Sequence, residues 1–240
     1  MNQLVSYENA GGIAHIAMDD GRVNVMSAAM LRALHAAFDR AERDKAIVVL
    51  KGRENIFSAG FDLKVFQANS AHDIYDMLRL GAELALRLLA FPTPIVAGCT
   101  GHAFPMGAFL LLASDVRIGA DGPFKIGLNE VAIGISVPGF GLELARQRLV
   151  PAFLHRTALT GEMFAPQDAA AAGFLDRVVP AKELDASVEA IAQALTKVHL
   201  PSHAATKARL RGAAIAAVRQ AIEAEVTFEA YRDRIVRSAA

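Results

Sequence analysis

Short apolar runs rich in β-branched residues alternate with longer runs of helical period from the start of the chain to about Pro180. The opening segment predicts a hairpin: Leu4 to Tyr7, a turn at Gly11 and Gly12, then Ile13 to Met18. The glycine pair supplies the turn, and Asp19, Asp20 and Gly21 end the second strand. Ser27 is placed to cap a helix over Ala28 to Glu42, where Met30, Leu31, Leu34 and Phe38 recur near helical spacing. Ala46 to Leu50 is a continuous apolar run of the kind that forms a buried parallel strand. Lys51 to Phe66 reads as a loop.

Ser70 to Leu89 predicts a second long helix, and Pro92 and Pro94 precede a strand at Ile95 to Cys99. Pro105 to Ala113 predicts a short apolar helix, followed by strands at Val116 to Gly119 and Phe124 to Ile126. From Pro138 onward the pattern is mainly helical, with one strand near Arg177 to Pro180. Alternating strands and helices place the chain in the α/β class. There is no internal repeat and no linker rich in Gly and Ser. A soft boundary near Pro201 separates a core, residues 1–200, from a helical segment, residues 201–240. Ser202 to Arg237 reads as one alanine-rich amphipathic stretch whose only breaker is Gly212. Its apolar positions Leu210, Ile215, Val218, Ile222, Val226 and Phe228 fit packing on the chain's own core and fit a subunit interface equally well.

Composition narrows the function classes. Lys plus Arg number 25 and Asp plus Glu number 25, so the formal net charge is zero. Nucleic-acid binding usually shows a basic excess, and this chain has none. Hydrophobic residues make up 53% and charged residues 21%, which excludes a disordered chain. The single cysteine, Cys99, lies in an apolar stretch and reads as a buried, inert thiol. It supplies neither an intramolecular disulfide nor a multi-cysteine metal site. The first residues show no basic region followed by an apolar core, so no secretory signal is expected. The longest apolar run, Ala103 to Ala113, is too short to cross a bilayer and contains Pro105 and Gly107. The expectation is a soluble cytoplasmic protein.

Several familiar sites are absent. The seven His form no His-Glu-x-x-His or paired-ligand spacing. His199 and His203 are four apart, but Pro201 between them is expected to break helical geometry. Gly139, Phe140 and Gly141 are a fragment of a dinucleotide fingerprint, yet no strand precedes them. There is no Gly-x-Ser-x-Gly elbow and no P-loop.

Three segments remain. Phe57 to Lys64 closely follows the strand at Ala46 to Leu50, so it lies at the carboxyl end of the sheet, where α/β proteins bind ligands. Ser58, Ala59 and Gly60 let a ligand approach the backbone. A plain strand-to-helix turn has the same composition. Gly101 to Ala108 follows the strand ending at Cys99. Pro105 suits the first helical turn, which leaves the amides of Met106 and Gly107 pointing out of the helix N-terminus. Such amides can donate to a developing negative charge. In Ile126 to Gly134, Glu130 lies among Ile126, Leu128, Val131 and Ile133. Desolvation there should raise its proton affinity, as a general base near neutral pH requires. A capping or ion-paired Glu fits the same pattern.

In order and spacing these segments resemble the crotonase superfamily, the enoyl-CoA hydratase/isomerase family. The resemblance runs from the opening hairpin through Arg22 to Ser27, Phe57 to Lys64, Gly101 to Asp115, Ile126 to Gly134 and Ala165 to Pro180. It implies a spiral of ββα units with a helical C-terminal region that mediates trimerisation, trimers often pairing into hexamers. It implies an acyl-CoA thioester whose carbonyl oxygen is held by two backbone N–H groups, at Phe61 and Met106 by motif position. Many relatives carry three glycines where this chain has Pro105, Met106 and Gly107, but the Met106 N–H survives. Family hydratases use two glutamates. The first position is Phe109 here, and the second is Glu130. The run from Ile126 to Glu130 is similar to the single-glutamate Δ3,Δ2-enoyl-CoA isomerases. The alternatives are an enoyl-CoA hydratase of fatty-acid β-oxidation working with Glu130 alone, and a non-catalytic acyl-CoA-binding homologue. CoA would enter along Arg22, Val23 and the loop Ala59, Gly60, Phe61, Asp62, Leu63, Lys64. Arg22 and Lys64 are either partners of its phosphates or solvated charges. No metal or redox cofactor, nucleic acid or membrane is implied, and CoA is part of the substrate.

Overall fold

The computed structural model describes residues 3–238; Met1, Asn2, Ala239 and Ala240, the outer ends of the two expected segments, lie outside the described residues. The strands in chain order are β1 (Val5–Ala10), β2 (Ile13–Met18), β3 (Val25–Met26), β4 (Ile47–Lys51), β5 (Asn55–Ser58), β6 (Gly60–Phe61), β7 (Ile95–Cys99), β8 (Gly101–Ala103), β9 (Val116–Ala120), β10 (Ile126–Gly127), β11 (Met163–Phe164) and β12 (Arg177–Val179). The helices are α1 (Ala28–Arg43), α2 (Leu63–Gln67), α3 (Ala71–Ala90), α4 (Pro105–Ala113), α5 (Gly139–Arg148), α6 (Pro151–Thr160), α7 (Pro166–Ala172), α8 (Leu184–Leu195), α9 (Leu200–Glu225) and α10 (Phe228–Ser238).

β1 and β2 form the expected antiparallel hairpin, with Ala10 opposite Ile13 across Gly11 and Gly12. Both glycines take positive φ, 60° and 81°, as a two-residue hairpin turn requires. β2, β4, β7, β9 and β12 then pair in parallel, giving a six-stranded sheet in the order β1-β2-β4-β7-β9-β12. A smaller sheet runs β11-β10-β8-β5, and β3 pairs with β6. In each of β4–β5, β7–β8 and β9–β10 the first strand joins the large sheet and the second joins the small one. A helix follows each pair. This is the expected spiral of ββα units.

The large sheet is covered on both faces, which explains its continuous apolar strands. Val48 and Leu50 of β4 face the main core, and Ile47 and Val49 face the opposite side. There Leu184, Val188 and Ala192 of α8 cover them. The alternation is that of a pleated strand.

Four sequence expectations are corrected. The stretch Lys51 to Phe66 is not one loop, because it contains β5, β6 and α2. β8 and β11 likewise form where the sequence pattern predicts loop or helix. All these strands are two to four residues long, and β5 and β8 exist because they pair with each other, Asn55 opposite Gly101. Pro201 does not break the helix at His199 and His203. It sits in the first turn of α9, where its missing N–H costs nothing, and the His203 N–H reaches the His199 carbonyl at 3.0 Å. The tail is not one continuous stretch interrupted at Gly212. α9 runs through Gly212 and ends at Val226, and the Thr227 hydroxyl accepts from the Ala230 N–H at 3.3 Å to start α10.

α9 packs on the chain's own core through Val218 and Ile222 and through two buried cations. Lys207 Nζ donates to Asp115 at 2.8 Å, and Arg211 pairs with Asp115 at 3.0 Å. Arg211 also donates to the carbonyls of Leu89, Ala113 and Ser114 at 3.1–3.2 Å. These carbonyls end α3 and α4, where helices leave acceptors unpaired and favour positive charge. Burial pushes the Lys207 ammonium down to about 8, against the attraction of Asp115. Among the described residues no helix is long and apolar enough to cross a membrane.

Candidate active site

The first of the three site segments is fixed by Ser58 and Asn24. Asn24 is buried at a positive φ of 52°, a conformation Asn tolerates. Its Nδ2 donates to the carbonyls of Met18 at 3.0 Å and Phe57 at 3.2 Å. Burial alone would raise the nearby Asp20 carboxyl. Backbone N–H groups of Asn24, Arg22 and Val25 outweigh it and hold that carboxyl below its ordinary value. Ser58 Oγ donates to the Asn24 carbonyl at 2.7 Å and accepts from the Gly60 N–H at 3.1 Å. Removing that hydroxyl would leave buried groups unpaired, at about 1–3 kcal/mol each. Gly60 then takes φ +85°, which a residue with a Cβ adopts only under strain.

Ser58 also ties the second segment to the first, because its carbonyl accepts from the Phe104 N–H at 2.9 Å. α4 starts at Pro105, as expected, with no side-chain cap. Its first helical bond is from the Ala108 N–H to the Phe104 carbonyl, so the Met106 and Gly107 amides lie upstream of it. A Cβ built on Gly60 would stand 3.7 Å from the Met106 nitrogen. Phe61, the next residue, is therefore brought beside Met106. A Cβ on Gly107 would stand 2.9 Å from Ser58 Cβ, so only glycine permits this approach of α4.

The third segment folds as a 3-10 turn at Val131–Ile133, closed by Gly134 at φ +82°. The Glu130 carbonyl accepts from the N–H of Ile133 and Ile135. The Leu128 N–H donates to Thr157 of α6 at 3.0 Å, which anchors the approach to Glu130. The Glu130 side chain neither caps the turn nor pairs with a cation. It is 3% exposed, and neither carboxylate oxygen has a hydrogen-bond partner among the described residues. Burial pushes its carboxyl up to about 7, against a smaller opposing pull from its own backbone N–H.

A cavity of about 570 Å³ joins the three segments. Ala59, Gly60, Phe61, Leu63, Phe109 and Glu130 line it, among the residues expected from sequence. Arg22, Val23, Asp62, Lys64, Met106 and Gly107 do not. Met106 is fully buried with its helix. Asp62 caps α2 by accepting from the Lys64 N–H at 3.0 Å. Arg22 and Val23 are exposed, and the Val23 carbonyl accepts from the Ala59 N–H at 2.9 Å, one residue from the cavity rim. Lys64 lies on a separate, more open depression with Arg32, Asp73 and Asp76.

Sequence reasoning missed Ile74 and Leu78 of α3, Phe140 of α5 and Tyr231 of α10, all of which line the cavity. The first two are four apart on one helix face, a signal that was present. Phe140 meets Phe109 edge-on at 5.3 Å. Gly141 makes room for that ring, since a Cβ there would stand 2.3 Å from Phe109 Cζ. The Gly139 to Gly141 fragment thus serves packing. Cys99 is buried, and burial pushes its thiol up to about 12.

The enoyl-CoA hydratase/isomerase family model matches residues 8–234. The chain is 30% identical over 217 residues to the mitochondrial enoyl-CoA delta isomerase 1 of Homo sapiens, covering 88% of this chain and 71% of that protein. It is also 30% identical over 170 residues to the probable enoyl-CoA hydratase EchA17 of Mycobacterium bovis, covering 70% of this chain and 65% of that protein. A crystal structure of an enoyl-CoA hydratase/isomerase family protein from Pseudomonas syringae superposes with a TM-score of 0.90 at 43% identity, covering 93% of this chain and 96% of that one. The chain therefore belongs to the enoyl-CoA hydratase/isomerase family of the crotonase superfamily, which acts on acyl-CoA thioesters.

Proposed function

We propose that the protein isomerises 3-enoyl-CoA to 2-enoyl-CoA with Glu130 as its single base. Glu130 takes a proton from C2, and the electron pair delocalises into the thioester as a dienolate. The N–H groups of Phe61 and Met106 donate to the thioester oxygen, each worth about 3 kcal/mol in such a hole. Glu130 then returns the proton at C4. Proton and electrons balance within the substrate, so the step calls for no metal or redox cofactor. The observation that carries this reading is the desolvated, unpartnered Glu130 sharing its cavity with the ring of Phe109. The family hydratases use a second glutamate to hold the attacking water, and a phenyl ring at position 109 cannot take that part.

The CoA phosphates would meet Arg22 at the rim, with Lys64 a second basic candidate. Isomerisation of 3-hexenoyl-CoA is expected to exceed hydration of crotonyl-CoA. A hydration rate equal to or above isomerisation would favour the hydratase reading, and binding of CoA esters without turnover would favour a binding protein. The base must be ionised. The rate is therefore expected to fall about tenfold per pH unit below about 7 and to level off above it. A profile flat between pH 5 and 8 would contradict a base with this carboxyl's raised proton affinity.

The single buried thiol suits a reducing compartment such as the cytoplasm. The trimerisation that the family resemblance implies and the exposed Leu210 of α9 support a homotrimer or a dimer of trimers. Light scattering at micromolar concentration is expected to give three or six times the chain mass, and a monomer would refute this.

A further inference from the structure

Phe61 and Met106 carry the two amides assigned to the thioester oxygen, but their side chains meet elsewhere, on α3. This helix is capped by Ser70, whose hydroxyl accepts from the Asp73 N–H at 3.3 Å. It carries a glycine, Gly81, in its buried interior. An interior glycine weakens a helix relative to alanine, so its presence calls for a reason. A Cβ built on Gly81 would stand 2.5 Å from Cε1 and 2.6 Å from Cζ of Phe61, and 3.4 Å from Sδ of Met106. The first two distances are closer than carbon atoms approach. The third is a tight van der Waals contact. The ring of Phe61 therefore occupies the space that a side chain at position 81 would need, and the Met106 thioether rests against the same spot.

We propose that Gly81 is a positioning residue for the oxyanion hole: the notch it leaves in α3 seats the Phe61 ring and thereby fixes the Phe61 N–H beside that of Met106. The proposal rests on the reading of these two amides as the thioester donors. Local geometry explains why the seat matters. Phe61 ends a two-residue strand whose register is Val25 opposite Gly60 and Met26 opposite Phe61. Gly60 before it is at φ +85°, and Asp62 after it caps a helix of five residues. Such a short segment has little secondary structure to hold it. The ring is its lateral anchor. One side of the ring lies on α3 and Phe61 also lines the cavity, so the ring cannot retreat from α3 without entering substrate space or pulling its backbone along. Displacing a donor by even about 1 Å costs transition-state stabilisation more than ground-state binding.

The test is a cycle of Gly81→Ala and Phe61→Ala, both of which keep the Phe61 N–H. Three quantities are read: kcat and KM for 3-hexenoyl-CoA, the melting temperature, and the fraction of bound acetoacetyl-CoA present as enolate by its ultraviolet band. Gly81→Ala is expected to lower kcat about tenfold and the enolate fraction in parallel, with KM changed less. Phe61→Ala, which cannot clash and so serves if Gly81→Ala does not fold, is expected to lower kcat several-fold by unseating the amide. Adding Gly81→Ala to Phe61→Ala is then expected to change kcat less than twofold, because no ring remains to displace. A glycine that only fits the ring to the fold would instead lower the melting temperature while leaving kcat and the enolate fraction of the folded protein at their wild-type values. Wild-type kcat and enolate fraction in Gly81→Ala or in Phe61→Ala, or an undiminished effect of Gly81→Ala in the Phe61→Ala background, would overturn the positioning role alone. Wild-type protein that binds acetoacetyl-CoA without enolising it would instead overturn the reading of the two amides themselves.

Discussion

Glu130→Gln is expected to lower isomerase turnover by roughly a thousandfold while CoA-ester binding stays largely intact. The glutamine keeps the shape of the side chain and loses only the ability to take a proton. Among the described residues no other carboxylate lines the cavity to substitute for it. The same substitution is expected to stabilise the fold, and the sign follows from proton linkage. The carboxyl is raised from 4.5 to about 7 in the folded protein, so the folded state binds the proton more tightly than the unfolded chain does. The neutral form folds without the cost of burying a charge. As pH rises from about 4.5 through about 7, the folded protein loses about 3 kcal/mol relative to a chain with no ionisable group at this site. Glutamine escapes that loss. Its own unpaired amide takes back part of the gain. Glu130→Gln should therefore melt higher than the wild type at pH 8 and at nearly the same temperature at pH 4.5. Turnover above a tenth of the wild-type rate would show that Glu130 is not the base. A melting difference that does not change with pH would show that the carboxylate is not desolvated in solution.

How far sequence carried this site depended on how local each signal was. Ala46 to Leu50 and Ile95 to Cys99 were legible as strands because a strand buried on both faces is continuously apolar. β5 was not legible. Asn55, Ile56, Phe57 and Ser58 have no strand period of their own, and they extend only because β8 lies alongside. Glu130 was legible because its apolar neighbours are adjacent in sequence, and the structure removes the capping and ion-paired alternatives, since neither oxygen has a partner among the described residues. The sequence marks Ser58 only as a small residue, yet its hydroxyl and carbonyl join the two amide-bearing segments. That role depends on Asn24 and Phe104, each more than thirty residues away, and no spacing rule encodes it. Tyr231 was out of reach for the same reason. The apolar pattern makes its helix the far end of a single long one. The break at Val226 places α10 against α3, where Tyr75 meets Phe228 edge-on at 6.2 Å.

Phe109→Glu is expected to raise the ratio of hydration to isomerisation by at least about tenfold, at a cost in stability. Phe109 follows Met106 by three residues on α4, so the two sit one turn apart on neighbouring faces. Its ring is fully buried, lies edge-on to Phe140, lines the cavity and is admitted by Gly141. In the proposed reaction an apolar wall there would keep water from the dienolate, so that the proton on Glu130 returns to carbon. A carboxyl in its place could hold a water molecule against the substrate. Two carboxyls in one dry cavity cannot both ionise readily, so one of them would stay protonated and serve as the acid while the other acts as the base. Losing the ring costs about 3–5 kcal/mol by the usual large-to-small scale, and burying an unpaired carboxyl adds to it. Phe109→Leu separates these effects. It loosens the same packing but stays apolar, so it should lower the melting temperature and leave the product ratio unchanged. If Phe109→Glu folds, binds CoA esters and gives the wild-type ratio, position 109 does not choose between the two reactions. If Phe109→Leu shifts the ratio as far as Phe109→Glu does, the choice lies in the space the ring fills and not in the missing carboxyl.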